Sequence, residues 1–133
     1  MKNKINQKII LSGLWGFLLF TIFFADFQSF ITPGFLEEIR SGTIRGYEVT
    51  ENLLLFGAVF HMIPVAMFLL SLVLQKTINK WANIAASTLY LITNLTDVPS
   101  GLGLDQILFR IFIIIGLLCI FYNALRWKAL EPE

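Results

Sequence analysis

Four stretches of mostly apolar residues follow one another along the chain, separated by short polar connections. Each stretch is about as long as a membrane-spanning helix, which needs about 20 predominantly apolar residues. The predicted spans cover residues 9–31, 53–74, 78–98 and 107–127. The third is the least apolar, since Lys80, Asn83, Asn94 and Asp97 interrupt it. The pattern predicts an all-α fold, a membrane four-helix bundle that forms one domain over residues 1–133.

The connection between the first two spans has a helical pattern of its own. Thr32 can cap a helix that starts at Pro33, where the missing N–H costs nothing. The apolar residues of this segment recur on one side of such a helix: Phe35, Leu36 and Ile39. Gly42 then follows as a terminator. We expect a short amphipathic helix over residues 33–41, lying on the outer membrane surface.

Composition excludes several classes of protein. Hydrophobic residues make up 56% of the chain and charged residues 14%, whereas soluble domains carry roughly 25% charged residues. The net charge of +1 gives no footprint for nucleic acid, so we expect no such partner. The single Cys119 cannot form an internal disulfide, and one histidine cannot build a multi-histidine metal or haem site. We therefore expect no metal and no cofactor.

Lysine and arginine indicate the orientation, because cytoplasmic connections are enriched in both. They concentrate at the N-terminus, between the second and third spans, and after the fourth: Lys2, Lys4, Lys8, Lys76, Lys80, Arg126 and Lys128. In the first outer connection Arg40 and Arg45 are outweighed by four glutamates, and residues 99–106 contain neither Lys nor Arg. We therefore expect a multi-pass protein of the inner (plasma) membrane with both termini cytoplasmic. The N-terminal apolar run is interpreted as an uncleaved first span.

Polar residues of the spans fall at one depth. Counting 1.5 Å per residue places one such group of each span in the outer half of the membrane. The candidate ligand-binding residues are Asp26, His61, Tyr90, Asn94 and Arg110. If Asp26 and Arg110 do not reach the headgroups separately, we expect them to pair beside His61, because an uncompensated charge inside a bilayer is costly.

The third span also carries a continuous polar stripe at intervals of three and four residues: Asn83, Ser87, Tyr90, Asn94 and Asp97. Such a stripe must face the bundle or a partner, and it can be simple helix-to-helix hydrogen bonding. The other candidates have equally simple explanations. Asp26 can mark the end of its span, Arg110 can extend to the surface, and His61 can bond a neighbouring helix. The tryptophans, Trp15 among them, fit the membrane interface.

Four short segments carry a resemblance to a known family: Phe24-Ala25-Asp26, Pro33-Gly34, Ile63-Pro64-Val65-Ala66-Met67 and Lys80-Trp81-Ala82-Asn83-Ile84. Over most of the chain up to about Asn94, the sequence resembles a bacterial family of small four-span membrane proteins known only as a domain of unknown function. The resemblance implies a four-helix inner-membrane protein and brings no activity.

Two hypotheses for the function follow from the polar residues. In the first, an outward-opening pocket between the helices binds or transports a small polar or amphiphilic ligand. In the second, the chain is a structural or accessory subunit whose polar stripe docks onto a membrane-protein partner. A membrane enzyme ranks third, because no nucleophile–base pair, phosphate loop or metal set is recognisable. We expect the lipid bilayer as a partner, and a homo-oligomer is left open.

Overall fold

The computed structural model describes residues 6–98 and 101–127, which form five helices and one small antiparallel sheet. In chain order the elements are α1 (Gln7–Phe30), α2 (Phe35–Arg40), β1 (Thr43–Ile44), β2 (Tyr47–Glu48), α3 (Glu51–Val73), α4 (Lys76–Thr96) and α5 (Leu104–Arg126). Each predicted span coincides with one of the long helices to within three residues at either end.

Three of the long helices are long and apolar enough to cross a membrane, namely α1, α3 and α5. Their exposed side chains are largely Phe, Leu, Ile and Val, which water would solvate poorly and lipid would solvate well. The chain is therefore a membrane protein. The helix α4 falls outside this group, since polar residues dilute it as the sequence indicated.

The four long helices pack side by side. The contacts join α1 to α3 and α5, and α4 to α5 and, less extensively, α3. Their core is a single cluster of buried side chains: Leu11, Trp15, Leu18, Met67, Ala86, Tyr90, Ile113, Leu117, Ile120 and Ala124. The helices α1 and α5 approach closely at Gly116, where an added Cβ would lie 2.8 Å from Leu18 Cδ2.

The polar stripe of α4 faces into this core. Asn83 is fully buried, and its Oδ1 accepts a hydrogen bond of 2.7 Å from Trp15 Nε1 on α1. Its Nδ2 donates to Asn79 Oδ1 one turn earlier, at 2.7 Å. Trp15 is itself 0% exposed, so the expectation that it lies at the membrane interface is wrong. Its indole N–H has a buried amide partner, and the ring belongs to the core.

Asn79 also holds the tight connection between α3 and α4. Ser71 lies in the last turn of α3, where backbone carbonyls lack partners within the helix. Asn79 Nδ2 donates to Ser71 O at 2.6 Å, and Ser71 Oγ donates to Asn83 Oδ1 at 3.3 Å. A buried amide on α4 thus satisfies the end of the preceding helix. We call this end of the molecule, with the α3–α4 connection, the turn end.

At the opposite end, α2 is shorter than the sequence predicts. It begins after Gly34, whose φ of 87° is left-handed, rather than at Pro33. Thr32 does not cap it, because its hydroxyl donates to Gln28 O of α1 at 3.4 Å. The C-terminus matches the expectation: Gly42 has a φ of 82° and its N–H donates to Ile39 O.

A hairpin that the sequence pattern did not predict follows α2. Thr43 pairs with Glu48 and Ile44 with Tyr47. Arg45 and Gly46 connect them with φ values of 51° and 79°, the two positive values of a type I′ turn. The Gly46 N–H donates to Glu38 Oε1 of α2 at 2.9 Å, which ties the turn to the helix before it. We call this end of the molecule the hairpin end.

Candidate functional site

A cavity of about 500 Å³ opens at the hairpin end, between the four long helices and the hairpin. Its volume is in the range of small-molecule sites, roughly 300–1,000 Å³. Eleven polar or charged side chains line it, namely Asp26, Ser29, Arg45, His61, Tyr90, Thr93, Asn94, Thr96, Asp97, Gln106 and Arg110. The five candidate residues of the sequence analysis are all among them, and they come from four different helices.

A carboxylate–imidazole contact at the cavity joins α1 to α3. Asp26 Oδ2 lies 3.7 Å from His61 Nε2, and His61 Nδ1 contacts the carbonyl of Gly57 at 2.7 Å. A carbonyl can only accept, so Nδ1 carries a hydrogen. At 3.7 Å the carboxylate and the imidazole are within ion-pairing distance but further apart than hydrogen-bonded atoms.

The direct ion pair expected between Asp26 and Arg110 is absent from the part of the chain that the structure describes, although both side chains line the same cavity. Arg110 Nη1 on α5 instead donates to the carbonyl of Asn94. Asn94 lies in the last turn of α4, where carbonyls lack helical partners and the helix dipole attracts a cation. The Arg110 guanidinium therefore binds this backbone carbonyl rather than the Asp26 carboxylate. Hydropathy and helical phase do not reveal such a backbone site.

Tyr90 has a structural contact of its own. Pro64 has no N–H, so the carbonyl of Phe60 one turn earlier in α3 loses its helical partner. Tyr90 Oη donates to that carbonyl at 2.6 Å, and the Tyr90 ring stacks on the Phe60 ring with centroids 4.4 Å apart. Tyr90 therefore lines the cavity, and its hydroxyl also replaces the backbone hydrogen bond that α3 lacks at Pro64.

The cavity has an aromatic wall, which we define as the stacked rings of Phe56, Phe60 and Tyr90. Phe56 stacks on Phe60 with centroids 6.1 Å apart and an interplanar angle of 20°. Both phenylalanines lie on α3 and both line the cavity. Neither was among the candidates, because an apolar residue in an apolar span gives no sequence signal.

Two charged residues at the rim were also missed as site residues. Arg45 Nη1, in the hairpin turn, lies 3.8 Å from Asp97 Oδ2 at the end of α4. Both side chains are more than half exposed, so the pair contributes little stability, on the order of 0–1 kcal/mol. Only the type I′ turn brings Arg45 over the cavity, and that turn lacks the usual Asn-Gly or Asp-Gly signature.

These observations define the class: a multihelical membrane protein with a mixed polar and aromatic cavity at one end. Within residues 6–98 and 101–127, no group of three His, Cys, Asp or Glu side chains is arranged to hold a metal ion. The chain belongs to DUF6326, described as a family of unknown function, whose sequence model matches residues 1–132. No curated protein and no solved structure matches it.

The pairing at the cavity leads to a test by double-mutant cycles. The stabilities of Asp26→Asn, His61→Gln and the double variant should show a coupling of about 0.2–1 kcal/mol, because the pair is half exposed. Asp26→Asn and Arg110→Gln should be additive within about 0.5 kcal/mol, because they share no contact. Both cycles are measured by chemical unfolding in detergent. Coupling between Asp26 and Arg110 that exceeds the coupling between Asp26 and His61 would contradict the observed geometry.

Proposed function

We propose that all four long helices cross the membrane as one bundle, in a bacterial inner membrane with both termini cytoplasmic. The inward orientation of the α4 polar groups supports this, because helix α4 then presents mainly apolar side chains outward. In this orientation the turn end faces the cytoplasm and the hairpin end faces outside. Helix α2 then lies near the outer membrane surface.

We further propose that the cavity at the hairpin end binds or transports a small polar or amphiphilic ligand. The observation that carries this proposal is convergence: charged and polar side chains from α1, α3, α4, α5 and the hairpin surround one space of about 500 Å³. Intramembrane ionisable residues generally mark ligand or ion pathways. The proposed ligand contacts are Asp26, His61, Tyr90, Asn94 and Arg110.

The burial of the α4 stripe favours binding over partner docking. A docking surface must be accessible, yet three of the five stripe residues, Asn83, Ser87 and Tyr90, are at most 3% exposed. Their hydrogen bonds go to groups of this same chain. The outward-facing positions of the long helices are mainly apolar, which lipid satisfies without a partner.

The proposed topology can be tested by cysteine labelling. In a Cys119→Ser background, cysteines replace Tyr47, Thr77 or Leu104, all of which are exposed in the structure. A membrane-impermeant maleimide applied to intact cells should label positions 47 and 104, and should label position 77 only after the cells are opened. Labelling of 77 and 104 from the same side would show that α4 does not cross. Labelling of 77 alone from outside would reverse the orientation.

The binding proposal can be tested by blocking the cavity. Ala25→Phe adds a ring to a cavity-lining position on α1, and Ala58→Phe adds the same ring to an exposed position on α3. We expect a small molecule to co-purify with the wild type and with Ala58→Phe. Its amount in Ala25→Phe should fall by about tenfold, because overpacking excludes it. Mass spectrometry of extracts provides the measurement. Equal recovery from all three proteins, or no enriched molecule at all, would contradict the proposal.

A further inference from the structure

The charged groups around the cavity are not all paired with one another. Asp26 faces His61, and Asp97 faces Arg45, so each carboxylate has a cationic or titratable partner. Arg110 is different. Among the residues that the structure describes, no carboxylate lies within ion-pairing distance of its guanidinium. Its one hydrogen bond in this part of the chain goes to a neutral backbone carbonyl, that of Asn94.

The position of Arg110 makes its lack of a carboxylate partner informative. The residue lies in the second turn of α5, is partly buried, and lines the cavity. A guanidinium always carries its charge and presents five N–H donors. The bond to Asn94 occupies one nitrogen, which leaves further donors on a side chain that lines the cavity. A permanent cation at the edge of a bilayer without a carboxylate partner is well placed to bind an external anion.

The rest of the lining indicates what kind of anion fits. The aromatic wall of Phe56, Phe60 and Tyr90 lies across the same cavity, and Phe109 and Ile113 of α5 add further apolar surface beside Arg110. A small inorganic anion would leave this surface unused. A molecule with one anionic group and an apolar body would use both features, because stacked rings offer a broad contact for alkyl or aromatic groups.

We propose that the ligand of this cavity is an amphiphilic anion, with its carboxylate or phosphate group on Arg110 and its apolar body against the aromatic wall. The inference rests on the proposed binding function and specifies its ligand class. A free amphiphile and an anionic membrane lipid share this chemistry, and the experiment separates the two.

The test uses the full chain in phosphatidylcholine nanodiscs, with empty nanodiscs as the blank. Equilibrium dialysis measures the binding of radiolabelled decanoate, decanol and decyltrimethylammonium, which share one chain length and differ in charge. Radiolabelled acetate, which has the carboxylate without the long alkyl chain, is the fourth probe. Decanoate should bind saturably and at least about tenfold more tightly than the other three, because a charge-assisted hydrogen bond adds that much affinity. A second set of nanodiscs containing phosphatidylglycerol identifies the source: competition indicates a membrane lipid, and no competition indicates a free amphiphile.

Arg110→Gln should weaken decanoate binding by about tenfold or more, and Arg110→Lys should retain part of it because it keeps the charge. Arg126→Gln, the same change at an exposed position on the same helix, should bind like the wild type. If decanol or decyltrimethylammonium binds as well as decanoate, the ligand class is wrong while the cavity remains a binding site. If no probe binds above the blank, the proposed binding function fails together with this inference.

Discussion

The packing of this molecule depends on one constraint: the polar side chains of α4 must find partners inside a mostly apolar protein. Asn83, Asn79 and Tyr90 each do so by bonding a group of another helix. Two of those groups are backbone carbonyls of α3, one near its C-terminal end and one freed by Pro64. Because an unsatisfied polar group in an apolar environment is costly, these bonds specify how α4 sits against α1 and α3.

The same constraint shapes the cavity. Toward the turn end the polar groups of α4 form hydrogen bonds inside the core. Toward the hairpin end the burial decreases: Tyr90 is 3% exposed, whereas Asn94 is partly exposed and Asp97 is exposed. The last turn of α4 binds Arg110 through a backbone carbonyl, and Asp97, which directly follows α4, pairs with Arg45 of the hairpin. The polar residues of α4 thus form internal hydrogen bonds in the core, and they line the open cavity toward the hairpin end.

Hydropathy and helical phase predict the four long helices, an α4 stripe that faces either the bundle or a partner, and the residues that share the cavity. They fail where one specific hydrogen-bond partner decides the contact. Arg110 donates to a backbone carbonyl near the end of α4 rather than pairing with Asp26. Trp15 lies in the core rather than at the membrane interface, because a buried amide oxygen accepts its indole N–H. Asn79, a polar residue near the start of α4, was missed although it extends the stripe by one turn. The hairpin was missed because Arg45 occupies a left-handed position that sequence patterns assign to Asn, Asp or Gly.

The most direct test of this account is a double-mutant cycle between Tyr90→Phe and Pro64→Ala, measured as the free energy of unfolding in detergent. In the wild type, Tyr90→Phe should cost about 1–3 kcal/mol, because it leaves the carbonyl of Phe60 without a partner. In the Pro64→Ala background the new N–H of residue 64 can bond that carbonyl, so the same change should cost clearly less. Tyr122→Phe at an exposed position of α5 is the matched control. An equal cost of Tyr90→Phe in both backgrounds would contradict the claim that α4 is positioned by the polar groups it satisfies.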